Sequence, residues 1–166
     1  PWLLLLMVSA TFTGVIINHF ESALTACAVL TGFIPMLMAT AGNSGSQSSV
    51  TIIRSLSLGD VEFKDILKVA LVCGLTLAVV NFLKILLVDR LLFGNREITL
   101  MVDIAVCLTL LVTVICAKLV GCVLPLCAEK LGFDPAVMAS PFITTIVDAV
   151  SMLIFFFFAS GLLGLA

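Results

Sequence analysis

The stretch ITTIVDAVSMLIFFFF, residues 143–158, decides the fold class of this chain. It is apolar over nearly its whole length, which is typical of a membrane-spanning helix, yet it contains the carboxylate of Asp148. A lone acid at mid-membrane depth costs at least ~2.5 kcal/mol, so such a residue usually faces a polar cavity or a partner. The first interpretation of Asp148 is therefore an ion or proton site. The alternative is an ion pair with a basic group on a neighbouring helix.

Three hydroxyl residues share a helical face with Asp148. Ser140, Thr144, Asp148 and Ser151 follow one another at spacings of four, four and three residues, which places them in one stripe along an α-helix. The stripe offers only oxygen ligands and contains neither His nor Cys, which argues against a zinc or copper site.

The composition extends the membrane interpretation to the whole chain. Of its 166 residues, 62% are hydrophobic and 11% are charged, whereas roughly a quarter of the residues in soluble domains are charged. The apolar runs are long and do not alternate, which excludes a transmembrane barrel and predicts an all-α membrane protein. The six cysteines lie in apolar runs without a CxxC pair, so neither a disulfide framework nor a thiolate metal site is expected. No basic stripe indicates a nucleic-acid partner.

Five segments are long enough to span a bilayer. They cover approximately residues 2–17, 22–53, 66–92, 100–127 and 136–165, and the second is too long for one simple helix. The loops on one side carry more basic residues than those on the other, namely Arg54, Lys64, Lys68 and Lys130 against Arg90 and Arg96. By the positive-inside rule the chain is a multi-pass cell-membrane protein with a cytoplasmic N-terminus and an external C-terminus.

The run AGNSGSQSS, residues 41–49, is predicted to break the second segment. Gly42 and Gly45 permit close backbone approach, and a break in lipid is tolerated only where it is buried or lines a wet cavity. Asn43 and Gln47 are four residues apart and offer amide oxygens, which suit a hydrated cation. The alternative is a seam of small residues between packed helices, and the two interpretations are compatible if the seam borders a pore.

The number of carboxylate ligands in one chain restricts which ion can bind and which assembly can bind it. Mg²⁺ dehydrates reluctantly and usually keeps several waters beside one or two carboxylates. One Asp148 per chain is too few to cage a bare divalent ion, but a two-fold homodimer would place two such side chains across its axis. We therefore expect a homodimer that binds and passes a hydrated divalent cation, with Asp148, Asn43, Thr144 and Ser140 near the ion and Gly42, Gln47 and Ser151 lining the pore.

Four segments together resemble the MgtE magnesium channel family. They are residues 20–60, which include ATAGNSGSQSS, and AKLVGCVLPL at 117–126, LGFDPAVMASP at 131–141 and TTIVDAVSMLIFF at 144–156. The resemblance covers essentially the whole chain. It implies a homodimer of five-helix protomers with a pore on the dimer axis, lined mainly by the second and fifth helices.

The resemblance also implies roles for individual residues. Asp148 takes the position of the Mg²⁺ selectivity site, Asn43 and Ser140 line the pore, and Asp134 lies at the cytoplasmic mouth and helps to bind regulatory Mg²⁺. Residues 1–166 correspond to the transmembrane ion-conducting domain alone, without the soluble N-terminal and CBS domains of the family. Lys118 stands where an uncharged residue is usual. It is expected either to extend toward the cytoplasmic interface or to border the inner vestibule and lower cation conductance.

A passive Mg²⁺-selective channel is the leading functional hypothesis. The alternative is a secondary transporter that couples Mg²⁺ or another divalent cation to Na⁺ or H⁺, although the chain shows no inverted repeat of the kind many transporters contain. An intramembrane enzyme is not expected, because no nucleophile–base pair or metal-ligand cluster is found. A non-conducting structural subunit would leave the acid, the hydroxyl stripe and the glycine-containing run unexplained.

Overall fold

The computed structural model describes the backbone of residues 2–58, 64–95 and 97–165, with side chains throughout except at 2, 3, 5, 64–66 and 136–141. Within these ranges the chain is helical and contains no strand. The predicted all-α class is confirmed.

Six α-helices follow one another within the described ranges. They are α1 (Trp2–His19), α2 (Glu21–Ala26), α3 (Ile34–Leu58), α4 (Lys64–Lys84), α5 (Leu100–Lys130) and α6 (Pro135–Leu163). A 3-10 helix, Ala28–Phe33, precedes α3, and a π-helix, Ile85–Leu92, continues α4.

Three stretches are long and apolar enough to cross a membrane by length and composition. These are Leu67–Leu92, Leu100–Lys130 and Phe142–Leu163, and a shorter apolar helix covers Leu6–His19. The chain is a multi-pass membrane protein. Helix α3, which contains many polar residues, is not among these three stretches. The count of five spans and the orientation of the termini stay predictions.

The predicted break at residues 41–49 is wrong. Helix α3 continues through this run, and its hydroxyls bond within the helix: Ser48 Oγ donates to the Ser44 carbonyl at 3.2 Å and Thr51 Oγ1 to the Gln47 carbonyl at 2.9 Å. Such back-bonding satisfies a hydroxyl without opening the helix. The long second segment is divided earlier instead, at Cys27, whose φ of −139° and ψ of 77° end α2 before the 3-10 helix.

Local sequence sets the ends of α5 and the start of α6. Thr99 Oγ1 accepts a hydrogen bond from the Val102 N–H at 3.3 Å and caps the N-terminus of α5. At the C-terminus, Gly132 has a φ of +75° and the Phe133 N–H donates to the Ala128 carbonyl at 2.9 Å, which is a Schellman motif. Pro135 occupies the first position of α6, where a missing N–H costs no helical hydrogen bond.

Helix α5 packs against α3, α4 and α6, while α1 packs against α6. The crossing of α3 and α5 is at Gly45 and Gly121. A Cβ built on Gly121 would lie 2.9 Å from the Gly45 carbonyl carbon, and one built on Gly45 would lie 3.1 Å from the Ala117 carbonyl oxygen. Each glycine follows an alanine by four residues, Ala41 in α3 and Ala117 in α5, and such small-residue pairs let two helix backbones touch.

The largest apolar core lies toward the other end of the bundle. Its buried members come from the 3-10 helix, the π-helix, α3, α5 and α6, and include Leu30, Leu37, Ile85, Val106 and Phe155. Phe20 stacks on Phe156 with ring centroids 4.4 Å apart, which ties the junction of α1 and α2 to α6. This core fixes the position of α6 and therefore of Asp148.

Candidate functional site

Asp148 on α6 borders an open cleft between α6 and α3. The cleft has a volume of about 270 Å³ and is lined by Met38, Ala39, Gly42, Asn43 and Ser46 of α3 and by Thr144 and Asp148 of α6. Four of the residues singled out from the sequence, Gly42, Asn43, Thr144 and Asp148, therefore lie around one space. We call it the Asp148 cleft.

A second polar space reaches Asp148 from the side of α1. This cavity of about 410 Å³ is lined by Leu6, Ser9, Ala10, Thr13, Gly14 and Ile17 of α1 together with Met38, Thr144, Thr145 and Asp148. Ser9 Oγ and Thr145 Oγ1 are 3.0 Å apart and join α1 to α6 by a hydrogen bond. Sequence reasoning missed Ser9 and Thr13. Their spacing of four residues on an otherwise apolar helix was the signal for a polar face.

Asp148 is half-buried and its carboxylate has no hydrogen bond or ion pair within the part of the chain that the structure describes. The alternative interpretation, a carboxylate paired with a base on a neighbouring helix, is thus not realised among these residues. Asp148 lines both the cleft and the cavity beside α1.

Ser151 does not reach the cleft. Its side chain is 0% exposed and its hydroxyl donates to the Val147 carbonyl within α6. At 3.6 residues per turn, Ser151 is rotated about 60° from Asp148 toward the face that carries Val147. Val147 and Ile143 are buried against Ala41 and Ala117, so the hydroxyl stripe passes from the cleft into the core.

Two other predicted residues lie toward the start of α6. The side chain of Ser140 is outside the described residues, and its role stays a prediction. Asp134 is exposed in the turn between Gly132 and Pro135, at the same end of the bundle as the end of α3 and the start of α4.

Gln47 faces a different cavity, on the other side of α3. This cavity of about 450 Å³ lies among α3, α4 and α5, and its lining residues are Thr40, Asn43, Ser44, Gln47, Val72, Cys73, Thr76, Leu77 and Lys118. Asn43 borders both this space and the Asp148 cleft. We call the second space the Lys118 cavity. Lys118 is 8% exposed, so it is buried within the bundle.

A separate buried polar cluster lies at the other end of α5. Asp103 is 0% exposed, its Oδ1 accepts a hydrogen bond from Cys107 Sγ at 3.4 Å, and Asn81 Nδ2 donates to Cys107 Sγ at 3.6 Å. Sequence reasoning did not single out this cluster. The cluster joins α4 to α5.

The donor set of the Asp148 cleft suits a hydrated divalent cation. It supplies one carboxylate with hydroxyl and amide oxygens, and the described residues contain no group of three or more His, Cys, Asp or Glu side chains that could cage a metal. Such hard ligands bind Mg²⁺ through its water shell more readily than they replace that shell.

Residues 34–158 match the family described as MgtE, divalent cation transporter. This match covers α3 to α6, including both walls of the Asp148 cleft. The chain belongs to the MgtE family. The resemblance seen in the sequence is thereby confirmed.

Similar MgtE family members include three curated proteins, each called magnesium transporter MgtE. The chain is 34% identical to that of Enterococcus faecalis over 96% of its length, 35% identical to that of Thermus thermophilus over 93%, and 32% identical to that of Bacillus subtilis over 97%. These alignments cover 35%, 34% and 36% of the relatives. The chain thus spans about a third of the length of the MgtE proteins it matches.

Proposed function

We propose that this chain moves Mg²⁺ across the membrane along a polar passage that contains the Asp148 cleft. The observation that carries the proposal is the meeting of Asp148, Thr144, Asn43 and Gly42 around one open space between two helices. A membrane-embedded carboxylate without a protein partner is expensive unless a cation or water compensates it. The relatives named magnesium transporters support Mg²⁺ as that cation.

The ion passes with water between the metal and the carboxylate. The cleft volume of about 270 Å³ is many times the ~15 Å³ that a cavity needs to hold one water molecule. That space accommodates several waters of a hydration shell, whereas the ligands of one chain are too few to replace the shell. Asp148 would select for charge, and Asn43 and Thr144 would hydrogen-bond to the metal-bound waters.

The working assembly is a two-fold homodimer with the Asp148 clefts of both copies facing a common axis. Asp148 and Thr144 are only half-buried, and Asn43 is exposed, in the single chain. Apposition of two such faces would bring two carboxylates to one ion and match its charge of two. An isologous contact of this kind is the commonest arrangement of homo-oligomers.

The transport mode is that of a channel, with the N-terminus of the chain cytoplasmic and its C-terminus external. Arg54, Lys68 and Lys130 lie at the end that the positive-inside rule assigns to the cytoplasm. A Mg²⁺ current whose reversal potential is independent of the Na⁺ and H⁺ gradients is expected. A reversal potential that shifts with either gradient identifies the coupled transporter instead.

The test of the site is Mg²⁺ flux into vesicles that contain the purified protein. Asp148→Asn keeps the size of the side chain and removes its charge, and we expect it to lower Mg²⁺ flux at least tenfold. Asp89→Asn is the matched control, because Asp89 pairs with Lys84 at 2.8 Å away from both cavities. Wild-type Mg²⁺ flux through the Asp148→Asn protein would overturn the assignment.

A further inference from the structure

The Lys118 cavity has the chemistry of an anion site. Its volume is about 450 Å³, and its walls come from three helices, α3, α4 and α5. Lys118 supplies the one formal charge among the described residues that line it, and none of these residues is a carboxylate. The cavity therefore differs in sign from the Asp148 cleft, although only α3 separates them.

Lys118 has no protein counter-charge in the described part of the chain. It is 8% exposed, and no described Asp or Glu forms a salt bridge or hydrogen bond with its ammonium group. It lies twelve residues before α5 ends at Lys130, which is about 18 Å of helix at 1.5 Å per residue. An ammonium group at this depth needs a compensating group, because the hydrocarbon around the bundle offers none.

The neighbouring polar groups can donate hydrogen bonds into the same space. Ser44 is 6% exposed and its hydroxyl has no hydrogen-bond partner among the described residues. Asn43 and Gln47 present side-chain amides at the cavity wall, and each amide carries two N–H donors. Thr76 is already committed, since its hydroxyl donates to the Val72 carbonyl at 2.7 Å.

We propose that the Lys118 cavity binds a small monovalent inorganic anion, with chloride as the representative. The ammonium group of Lys118 would supply the charge, and the Ser44 hydroxyl with the Asn43 and Gln47 amides would supply hydrogen bonds. The cavity volume of about 450 Å³ is many times the ~15 Å³ that a cavity needs to hold one water molecule, so the anion keeps part of its hydration shell.

The depth of the Lys118 cavity and its single positive charge favour chloride over a phosphate group as the ligand. Helix α5 has 31 residues and is about 46 Å long, whereas the hydrocarbon core of a bilayer is about 30 Å thick. When α5 is centred in the core, Lys118 lies about 10 Å inside the hydrocarbon and below the headgroup layer. A lipid phosphate would have to leave that layer to reach Lys118. A free phosphate carries more charge than one lysine compensates, and burying the excess is costly.

The experiment measures binding of radioactive chloride to the purified full-length protein in nanodiscs without Mg²⁺. Wild-type protein is expected to bind one chloride per chain. Lys118→Met, which retains most of the apolar side chain, is expected to weaken chloride binding at least tenfold. Lys130→Met is the matched control and should bind as the wild type does, because Lys130 is exposed at the end of α5.

A second variant and a second measurement keep the proposal testable if the Lys118→Met protein does not fold. Ser44→Ala removes one hydrogen-bond donor without changing charge, and chloride affinity should fall about threefold. In bromide-soaked crystals an anomalous scattering peak is expected beside Lys118 Nζ in wild-type protein and not in the Lys118→Met protein. Because these measurements use no Mg²⁺, their failure would leave the proposed cation passage untouched.

Three results would overturn the proposal. The first is the absence of chloride binding to wild-type protein, or unchanged binding to Lys118→Met. The second is a lipid phosphate at Lys118 Nζ, seen as retained anionic lipid that Lys118→Met releases. The third is a carboxylate of the partner subunit within 4 Å of Lys118 Nζ in the assembled protein.

Discussion

The Asp148 cleft and the Lys118 cavity lie on two sides of the same helix and have opposite charges. One offers a half-buried carboxylate with hydroxyl and amide oxygens, and the other offers a buried ammonium group with hydroxyl and amide donors. Asn43 borders both, since an amide can present either its oxygen to a cation or its N–H groups to an anion. The small polar residues of α3 therefore form a wall that is shared by the two spaces. The charged residues of the neighbouring helices, Asp148 of α6 and Lys118 of α5, determine which ion each space suits.

The largest effect on stability is expected from a substitution at Gly121, where α5 contacts α3. A valine there would push its Cβ into the Gly45 backbone, and because rigid backbone cannot yield as a side chain can, α3 and α5 must separate. We expect Gly121→Val to cost about 3 kcal/mol or more of stability and to disturb both cavities. Thermal unfolding in detergent measures this.

Gly42 of α3 and Gly161 of α6 serve as controls. A Cβ on Gly42 would meet only Thr144 Cγ2, at 4.0 Å, and a Cβ on Gly161 would meet nothing within 4 Å. Gly42→Ala and Gly161→Ala should therefore unfold close to the wild-type temperature. Equal destabilisation by all three substitutions would contradict the assignment of the helix contact to Gly45 and Gly121.

Because the two sites differ in charge, substitutions in one site should change the binding or transport of one ion and leave the other ion largely unaffected. Asp148→Asn should lower Mg²⁺ flux at least tenfold and leave chloride affinity within about twofold, whereas Lys118→Met should have the stronger effect on chloride binding. A tenfold loss corresponds to about 1.4 kcal/mol. Loss of both activities in either variant would mean that the two spaces are one site.

Asn43 should affect both sites, and to a smaller extent. Asn43→Leu removes an amide from each wall, so Mg²⁺ flux and chloride affinity are each expected to fall about threefold, as for loss of one hydrogen bond. Asn43→Asp should affect the two ions in opposite directions, because the added carboxylate attracts Mg²⁺ and repels chloride. If both variants behave as the wild type does, Asn43 belongs to a packing surface alone.

The smallest effect is expected on Mg²⁺ flux when Lys118 loses its charge. A positive group one helix away raises the electrostatic free energy of a cation in the Asp148 cleft, and partial hydration on both sides reduces that effect. Lys118→Asn should thus raise Mg²⁺ current roughly twofold in chloride-free solution. The gain should shrink when chloride is present, because a bound anion would already neutralise Lys118 in the wild type. Equal gains in both solutions would indicate that Lys118 acts on the cation without an anion.

Much of the secondary structure could be predicted because it depends on local pattern. The apolar runs placed α5, α6 and the combined span of α4 and the π-helix within a few residues of their observed ends. The spacing of Thr144 and Asp148 predicted their common face. The break at residues 41–49 was predicted wrongly, since composition suggested helix-breaking residues where packing against α5 and α6 favours a continuous helix.

The sequence by itself determined that this chain is a multi-pass helical membrane protein with a carboxylate in an apolar helix, because long apolar runs have no other stable form in lipid. Only the tertiary structure decided which polar residues meet. It brought Asn43 to Asp148, turned Ser151 into the core, and gave Lys118 a cavity of its own. Helical periodicity fixes the face on which a residue lies, but the neighbour of that face depends on where two backbones can touch, and here that is at Gly45 and Gly121.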